Sequence, residues 1–361
     1  MKKQTLAVIA IILCGVFTSP TRAQETIRGD WTAEYTTRAR SKDSNTQKIL
    51  LTMKVGSDAA GHRFNSTFSV PLADLRGLNL SDSALDLPNA HFEIQRDAGR
   101  FIFDGLFRDG KGIGEFRFEP DAGYIAGMKS MGYNDLPLNK VFELAMFDVS
   151  RSFIQEMAGL GYPDLPVNRL IEFRIHGVSP DYIRDLRAAG YTELSASKLV
   201  EMRIHGVTPN YIAELKSAGY EDLTANKLVE MRIHGVTPEY ISELKAAGYT
   251  ELSANKLVEM RIHGVTPEFV SKVKELGYDN LSASKLVEMR IHGVTPAFIN
   301  DIKAMGYSDL PIDKLVEFRI HGISANFIKG LKEAGYTDLS ADDIVEIRIN
   351  GRDRFERKSR R

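Results

Sequence analysis

A repeat of fixed length occupies about two thirds of this 361-residue chain and limits the folds that it can adopt. The dipeptide Gly-Tyr recurs every 29 residues, eight times from Gly132 to Gly335. His-Gly recurs at the same interval from His176 to His321. Such a period is typical of arrays in which each unit buries its apolar surface against its neighbours. The sequence therefore predicts a stack of similar units.

Start and stop signals predict two helices in each unit, as residues 252–278 illustrate. Ser253 is a good N-cap for a first helix, and Gly264 ends that helix in the left-handed conformation. Thr266 caps a second helix, which Gly277 ends in the same way. The helices predicted for this copy are Ala254–His263 and Pro267–Leu276. Helices this short need neighbours to hold them.

The distribution of apolar residues differs between the two helices of a unit. The first helix has a wide apolar arc, formed by Ala196, Leu199, Val200, Met202 and Ile204 in one copy. The second helix has a narrower apolar face, formed by Tyr211, Ile212, Leu215 and Ala218. Because a wider arc indicates contact on more sides, we expect the first helix to be the more buried.

The array is predicted to contain sixteen helices over residues 120–351. It opens with a helix of the second type near Ala122–Met131 and closes with one of the first type near Ala341–Asn350. Stacking at about 8–10 Å per helix predicts an all-α solenoid about 70–80 Å long.

Residues 24–119 show the alternation of apolar and polar residues that indicates β-strands. The predicted strands are Trp31–Ala39, Ile49–Val55, Phe64–Val70, His91–Gln95, Phe101–Phe107 and Gly112–Phe118. Turn signals separate the last three strands, which predicts a small antiparallel sandwich or partly open barrel that covers the end of the solenoid. The fold class is therefore α+β in two domains.

The first 23 residues have the features of a secretory signal peptide. Lys2 and Lys3 precede an apolar run over Leu6–Phe17, and Thr21 and Ala23 supply small residues before a cleavage site near Ala23. We therefore expect an exported protein, periplasmic or extracellular, with no membrane span in the mature chain. Residues 352–361 form a basic tail that is expected to be solvated, with contact to an anionic surface as the alternative.

Net charge argues against nucleic acid as a partner. Removal of residues 1–23 would leave 44 basic and 48 acidic residues, a formal charge of −4. Affinity for nucleic acid comes largely from neutralising phosphates, which an acidic chain does poorly. The same cleavage removes Cys14, so no disulfide is expected.

Two stretches resemble a known family. Residues 227–241, Lys-Leu-Val-Glu-Met-Arg-Ile-His-Gly-Val-Thr-Pro-Glu-Tyr-Ile, and the pattern Phe-x-Gly-x-Phe-x-x-Gly-x-Gly around Phe103–Gly112 carry the resemblance. They resemble the extracytoplasmic region that follows the membrane metallopeptidase part of BlaR1-like antirepressors. The resemblance spans about residues 28–351 and implies a sensor or interaction role. The peptidase motif His-Glu-x-x-His is absent, so protease activity does not transfer.

An arginine recurs within the apolar arc of the first helix, and its copies are Arg174, Arg203, Arg232, Arg261, Arg290, Arg319 and Arg348. A guanidinium inside an apolar surface must be paired or hydrogen-bonded. We predict that each arginine binds a loop carboxylate, such as Asp222 or Glu251, or the open carbonyls of an adjacent repeat, and so fixes the stacking register. The alternative is an open groove in which the arginines bind an anionic ligand.

Rows of glutamate and histidine are predicted on the polar side of the first helix. The candidate partner surface comprises Glu201, His205, Glu230, His234, Glu259, His263, Glu288 and His292. A metal site is disfavoured, because histidines one repeat apart are too distant to share an ion whose bonds are ~2.0–2.1 Å long. Edges bearing exposed Tyr or Phe are a second candidate contact surface.

Nothing in the sequence predicts catalysis or a cofactor. It contains no Gly-x-Ser-x-Gly elbow, and the glycines over 110–114 lie in a hairpin and not before a helix. The sequence favours a non-catalytic binding or scaffold protein that contacts a protein partner along its repeats, in a setting such as envelope sensing. Two alternatives remain: a small ligand or glycan bound by the β domain with the repeats as a spacer, and a purely structural envelope protein.

Overall fold

The computed structural model describes residues 26–36, 47–56, 64–81 and 84–351. The chain divides into two compact units, residues 1–175 and 176–361. The first contains an antiparallel sheet and the first helices, and the second contains the later helices. The proposed signal peptide and the basic tail lie outside the described residues, as do residues 37–39 of the first predicted strand.

Six strands form one antiparallel sheet at the start of the first unit. They are β1 (Ile27–Thr36), β2 (Lys48–Val55), β3 (Phe64–Pro71), β4 (Leu87–Arg96), β5 (Gly99–Arg108) and β6 (Lys111–Pro120). Their order is β3-β2-β1-β6-β5-β4, so the first and last strands pair at the centre. All six predicted strands are confirmed. The sheet is not closed, because β3 and β4 lie at its two ends.

Trp31 is the centre of the sheet's core and is fully buried. Its indole nitrogen donates hydrogen bonds to the carbonyls of Asp104 and Glu115, at 3.2 and 3.1 Å. A Cβ at Gly112 or Gly114 would lie 2.6–2.7 Å from the indole ring. Glycine is required at these two positions because the ring lies directly on the backbone.

Aromatic rings fill the buried face of the sheet. Phe92 and Phe103 stack with ring centroids 4.6 Å apart, and Phe101 and Phe118 lie 4.8 Å apart. Phe142, from a helix of the same unit, packs edge-on against Phe118 at 5.5 Å. Burial of aromatic side chains on this scale is a large hydrophobic contribution to the stability of the unit.

Sixteen helices follow the sheet in the described part of the chain, as the sequence predicts. They are α1 (Ala122–Ser130), α2 (Leu138–Met146), α3 (Arg151–Gly159), α4 (Val167–His176), α5 (Pro180–Ala188), α6 (Ala196–Ile204), α7 (Pro209–Ser217), α8 (Ala225–Ile233), α9 (Pro238–Ala246), α10 (Ala254–Ile262), α11 (Pro267–Glu275), α12 (Ala283–Ile291), α13 (Pro296–Ala304), α14 (Ile312–Ile320), α15 (Ala325–Glu333) and α16 (Ala341–Asn350). Helices with even numbers are the first helices of a repeat, and helices with odd numbers are the second helices.

The ends of the helices follow from the capping residues and glycines of each repeat. The hydroxyl of Thr266 accepts a hydrogen bond from the N–H of Phe269, which caps α11. At the end of α10, Gly264 has φ +69° and the N–H of Val265 donates to the carbonyl of Met260 at 2.8 Å. This is a Schellman motif, in which glycine adopts the left-handed conformation and the next apolar residue is buried.

Burial on the helices differs from the sequence prediction at one edge. The first helix α6 buries Leu199, Val200 and Met202, and the second helix α7 also buries three side chains. Ile204 belongs to the predicted apolar arc, but 55% of it is exposed. The first helix is therefore not buried across its full apolar arc, and one edge of that arc faces solvent.

None of the helices within the described ranges combines the length and the apolar character needed to cross a lipid bilayer.

Candidate functional site

The repeated arginines reach the helix–helix turn of the preceding repeat. In the second unit, the Nε of each donates to the carbonyl of the histidine 27 residues earlier, at 2.9–3.3 Å: Arg203, Arg232, Arg261, Arg290, Arg319 and Arg348. Each guanidinium also lies over an aromatic ring of the preceding repeat, as Arg232 does over Tyr211 with 4.7 Å to the centroid. A cation over a ring contributes about 0.5–1 kcal/mol at an exposed site.

Arg174, in the first unit, makes a different contact. Its Nε donates to the carbonyl of Phe147 at 3.0 Å, and an Nη donates to the Asp148 carboxylate at 2.7 Å. Asp148 replaces the glycine of the later repeats. Among the described residues, no ion pair joins Arg232 or Arg261 to a loop carboxylate such as Asp222, so the bonds in the second unit go to carbonyls. That these bonds fix the stacking register stays a prediction.

A row of buried tyrosines links successive repeats by hydrogen bonds that the sequence analysis did not predict. Tyr182, Tyr211 and Tyr240 each donate a 2.8 Å hydrogen bond from the hydroxyl to the carbonyl of the valine 25 residues later. Burial raises the pKa of each of these tyrosines to about 12. The three rings are buried, as expected for Tyr211 from the apolar face predicted for the second helix. This row is therefore not one of the exposed Tyr/Phe edges, which stay a prediction.

Two further rows of side chains bond the backbone of a neighbouring repeat in the second unit. The loop tyrosines donate to the leucine carbonyl 32 residues later at 2.7–2.8 Å: Tyr191, Tyr220, Tyr249, Tyr278 and Tyr307. Lysines of the second helices donate to a carbonyl 27 residues earlier at 2.6–2.8 Å: Lys216, Lys245, Lys274, Lys303 and Lys332. The fixed spacing was visible in the sequence, but the bonding partners depend on how the repeats stack.

The predicted glutamate row lies beside a row of lysines on the same helices. Glu201 forms an ion pair with Lys198, and Glu259 forms one with Lys256 at 2.5 Å. Glu230 and Glu288 form the same pair with Lys227 and Lys285. Each glutamate side chain is about 40% exposed. Such pairs contribute little to stability, but they leave the row with almost no net charge.

The predicted histidines end the first helices. His205, His234, His263 and His292 are the C-cap residues of α6, α8, α10 and α12, and all are half-buried. Their backbone carbonyls accept the arginine bonds described above. Across the described residues, no group of three or more His, Cys, Asp or Glu side chains could hold a metal ion. The histidine rings belong to the same helix face as the glutamates, four positions along.

The most exposed apolar side chains of the repeats are isoleucines at one repeat position. Their exposed fractions are 53–57% for Ile175, Ile204, Ile233, Ile262, Ile291, Ile320 and Ile349. The six in the second unit, Ile204 to Ile349, are called the isoleucine stripe below. Ile204 lies three positions after Glu201 and His205 lies four positions after it, so the isoleucines and the histidines both neighbour the glutamates on the helix surface.

The residue type at the stripe position is constant over seven repeats, as is that of the half-exposed glutamate three positions earlier, whereas several other exposed positions vary. All seven first helices from α4 to α16 carry isoleucine there. The second position of the later second helices is Asn210, Glu239, Glu268, Ala297 and Asn326 in successive copies. Solvent exposure alone does not favour isoleucine, so this recurring position is unusual among the exposed positions of the repeats.

The second helices form a groove of different character. Between α7 and α9 it has a volume of about 840 Å³ and is lined by three carboxylates, Glu214, Glu239 and Glu243, together with small residues such as Ala213 and Ser242. No lysine or arginine is among its lining residues. This groove is therefore acidic, and its positions vary between repeats, since Lys272 of α11 occupies the position that Glu243 has in α9.

The sheet carries a shallow groove on its solvent-facing side. The groove has a volume of about 430 Å³, and its lining includes Thr32, Thr52, Leu50 and Ile113. The aromatic side chains of β4, β5 and β6 pack on the opposite, buried face. A sugar ring would therefore find no aromatic ring from these three strands to stack on.

Comparison of this chain with protein-family profiles, curated proteins and solved structures gives no match.

Proposed function

We propose that this chain is an exported, non-catalytic scaffold protein whose repeats stack as a solenoid and bind protein along the outer face of the first helices. That face comprises the isoleucine stripe with the glutamate and histidine rows beside it. The observation that supports the proposal is the exposed isoleucine that recurs in the seven first helices from α4 to α16.

The chemistry of this face suits protein better than other ligands. Each isoleucine offers apolar area, and the neighbouring Lys–Glu pairs offer polar groups at its rim, which is the arrangement found in protein interfaces. An anionic ligand in contact with the arginines is less well supported. Their Nε atoms are already bonded to carbonyls, and their guanidinium groups lie on aromatic rings.

Photo-crosslinking tests the proposal. A photoreactive residue at Glu230 of the full chain should trap a discrete set of proteins from the exported fraction of the source cells. Replacement of Ile204, Ile233 and Ile262 by Ser should abolish that set, because the apolar contact area is lost. Replacement of Ser217, Ser242 and Ser271 by Ala on the second helices is the matched control and should leave it unchanged. Equal trapping by both variants would contradict the proposal.

A second candidate function is ligand binding by the sheet, which the groove over Thr52 and Ile113 favours. In that case Ile113→Arg, which fills the groove with a charged side chain, should remove ligand binding from the full chain. The Ile→Ser variant of the repeats should leave it intact. Calorimetric titration with a panel of oligosaccharides and small metabolites would separate the two functions.

A further inference from the structure

We propose that the partner of the isoleucine stripe is a second copy of this chain, so that two stripes pack against each other about a two-fold axis. The inference rests on the proposed function, because it names the protein that the first-helix face binds. Three properties of the stripe carry it: its period, the side chains that form it and its charge.

Period is the first property. The stripe offers six equivalent isoleucines, one per repeat, at intervals of about 8–10 Å set by helix packing. A rigid partner must present apolar groups at that interval over several repeats to contact all of them. A second copy has the same interval by construction. In a two-fold arrangement both chains use the same surface. Each contact between two residues then occurs twice, once with the roles of the two chains exchanged.

If the six isoleucines of the stripe all take part, their positions set the axis of such a pair. Six equivalent positions arranged about a two-fold axis have their midpoint between the third and the fourth, which are Ile262 and Ile291. Ile262 of one chain would then lie nearest to Ile291 of the other. Ile204 and Ile349 would lie at the two ends of the contact.

The side chains are suited to close packing at low entropic cost. Isoleucine has a restricted χ1 angle and loses about 0.5–1 kcal/mol of side-chain entropy on burial, which is less than lysine or glutamate loses. Five intervals of about 8–10 Å give a contact about 40–50 Å long. With one helix width of about 10–12 Å, the face covers about 400–600 Å² per partner, which corresponds to the low end of protein interfaces.

Charge distinguishes this face from the groove between α7 and α9. Glu230 and Glu259 are each paired with a lysine of their own helix, so two copies of the face can approach without net repulsion. The groove of α7 and α9 carries Glu214, Glu239 and Glu243 with no basic residue in its lining. Two copies of that groove would repel each other, because like charges brought together are unfavourable.

Sedimentation velocity tests the inference. The full chain should be a dimer at micromolar concentration. Ile262→Lys with Ile291→Lys should weaken dimerisation by about 10-fold or more, because it places four cations around the axis. Lysine at the end of a helix agrees with the helix dipole, so circular dichroism should show the fold unchanged. Ser242→Lys with Ser271→Lys adds the same charge on the second helices and should leave the dimer intact.

Disulfide trapping gives a second measurement that does not depend on weakening the dimer. In a Cys14→Ser background, Ile262→Cys with Ile291→Cys should form covalent dimers on mild oxidation, whereas Ser242→Cys with Ser271→Cys should not. A wild-type chain that is monomeric at about 100 μM would overturn the inference. So would a dimer whose stability is unchanged by Ile262→Lys with Ile291→Lys. The proposed function would survive that result if photo-crosslinking at Glu230 trapped a different protein.

Discussion

At the scale of single residues, each arginine of the second unit depends on a glycine one repeat earlier. The Nη2 of Arg232 would lie 2.8 Å from a Cβ placed on Gly206, which is too close for any side chain. The same glycine has φ +69°, as the end of the first helix requires. One glycine therefore both ends a helix and makes room for the guanidinium of the next repeat.

Replacement of Gly206 by Ala tests the second of these roles. The left-handed conformation costs alanine about 1–2 kcal/mol. The new methyl group would also displace the guanidinium of Arg232 from the His205 carbonyl and the Tyr211 ring. We expect the free energy of unfolding, measured in urea, to fall by about 1 kcal/mol more than in Gly219→Ala.

The control position and a second background separate strain from contact. Gly219 also has a positive φ, +90°, but nothing lies within 4 Å of its added Cβ. In an Arg232→Met background the guanidinium is absent, so the additional loss in Gly206→Ala should disappear. If the two glycine variants lost equal free energy of unfolding in the wild-type background, the contacts of Arg232 would not contribute to stability. Arg232→Met alone should also lower the melting temperature, as expected for a residue that ties two repeats together.

At the scale of helices, side-chain hydroxyls cap the start of most helices of the second unit, and α14, which follows Pro311, is an exception. Thr237 caps α9 by accepting a hydrogen bond from the N–H of Tyr240 at 3.2 Å. Pro238 follows it in the first helical position, where no N–H is needed. The capped residue is also one of the buried tyrosines, so the cap fixes both the helix and a contact between repeats.

Thr237→Val should destabilise the second unit by about 1 kcal/mol, because an orphan N–H of the first turn loses its acceptor. The shape of the side chain is nearly unchanged, so packing contributes little to the loss. Thr237→Ser keeps the hydroxyl and should restore most of the stability in chemical unfolding. If valine and serine behaved alike, the hydroxyl would not be the stabilising group.

The ends of the helices could be predicted from the sequence because they depend on local chemistry. Gly264 and Thr266 place the boundary of α10 and α11 to within one residue of the observed one. The exposure of Ile204 could not be predicted, because a helical wheel shows that a residue is apolar but not where the neighbouring helix ends. The bonds of Tyr211 and Arg232 reach 25 and 27 residues along the chain, and such partners depend on the offset between repeats.

The sheet shows the same division between local and long-range information. Alternation of apolar and polar residues places every strand of the first unit. Pairing of β1 with β6, as in Trp31 opposite Gly114, joins residues far apart in sequence. From the sequence, Gly112 and Gly114 indicate only a hairpin. Their second role, close approach of a ring to the backbone, becomes visible once β1 lies beside β6.

At the scale of the whole chain, the buried tyrosines make stability depend on pH in the alkaline range. Burial raises the pKa of Tyr182, Tyr211 and Tyr240 to about 12, whereas a tyrosine in the unfolded chain has a pKa of about 10. Above pH 10 the unfolded state loses these protons first. The folded state then binds more protons than the unfolded state, so stability falls as pH rises.

We therefore expect the contribution of these tyrosines to the free energy of unfolding to be nearly independent of pH up to about pH 9 and to fall steadily between about pH 10 and pH 12. Replacement of Tyr182, Tyr211 and Tyr240 by Phe should lower stability at pH 8, because three buried hydrogen bonds are lost, yet reduce the slope at pH 10–12. Phe269 already fills the equivalent position of a later repeat, so the change is sterically tolerated. Urea unfolding at pH 8, 10 and 11.5 measures both effects. An unchanged alkaline slope in the triple variant would mean that these hydroxyls are not protected from solvent by stacking of the repeats.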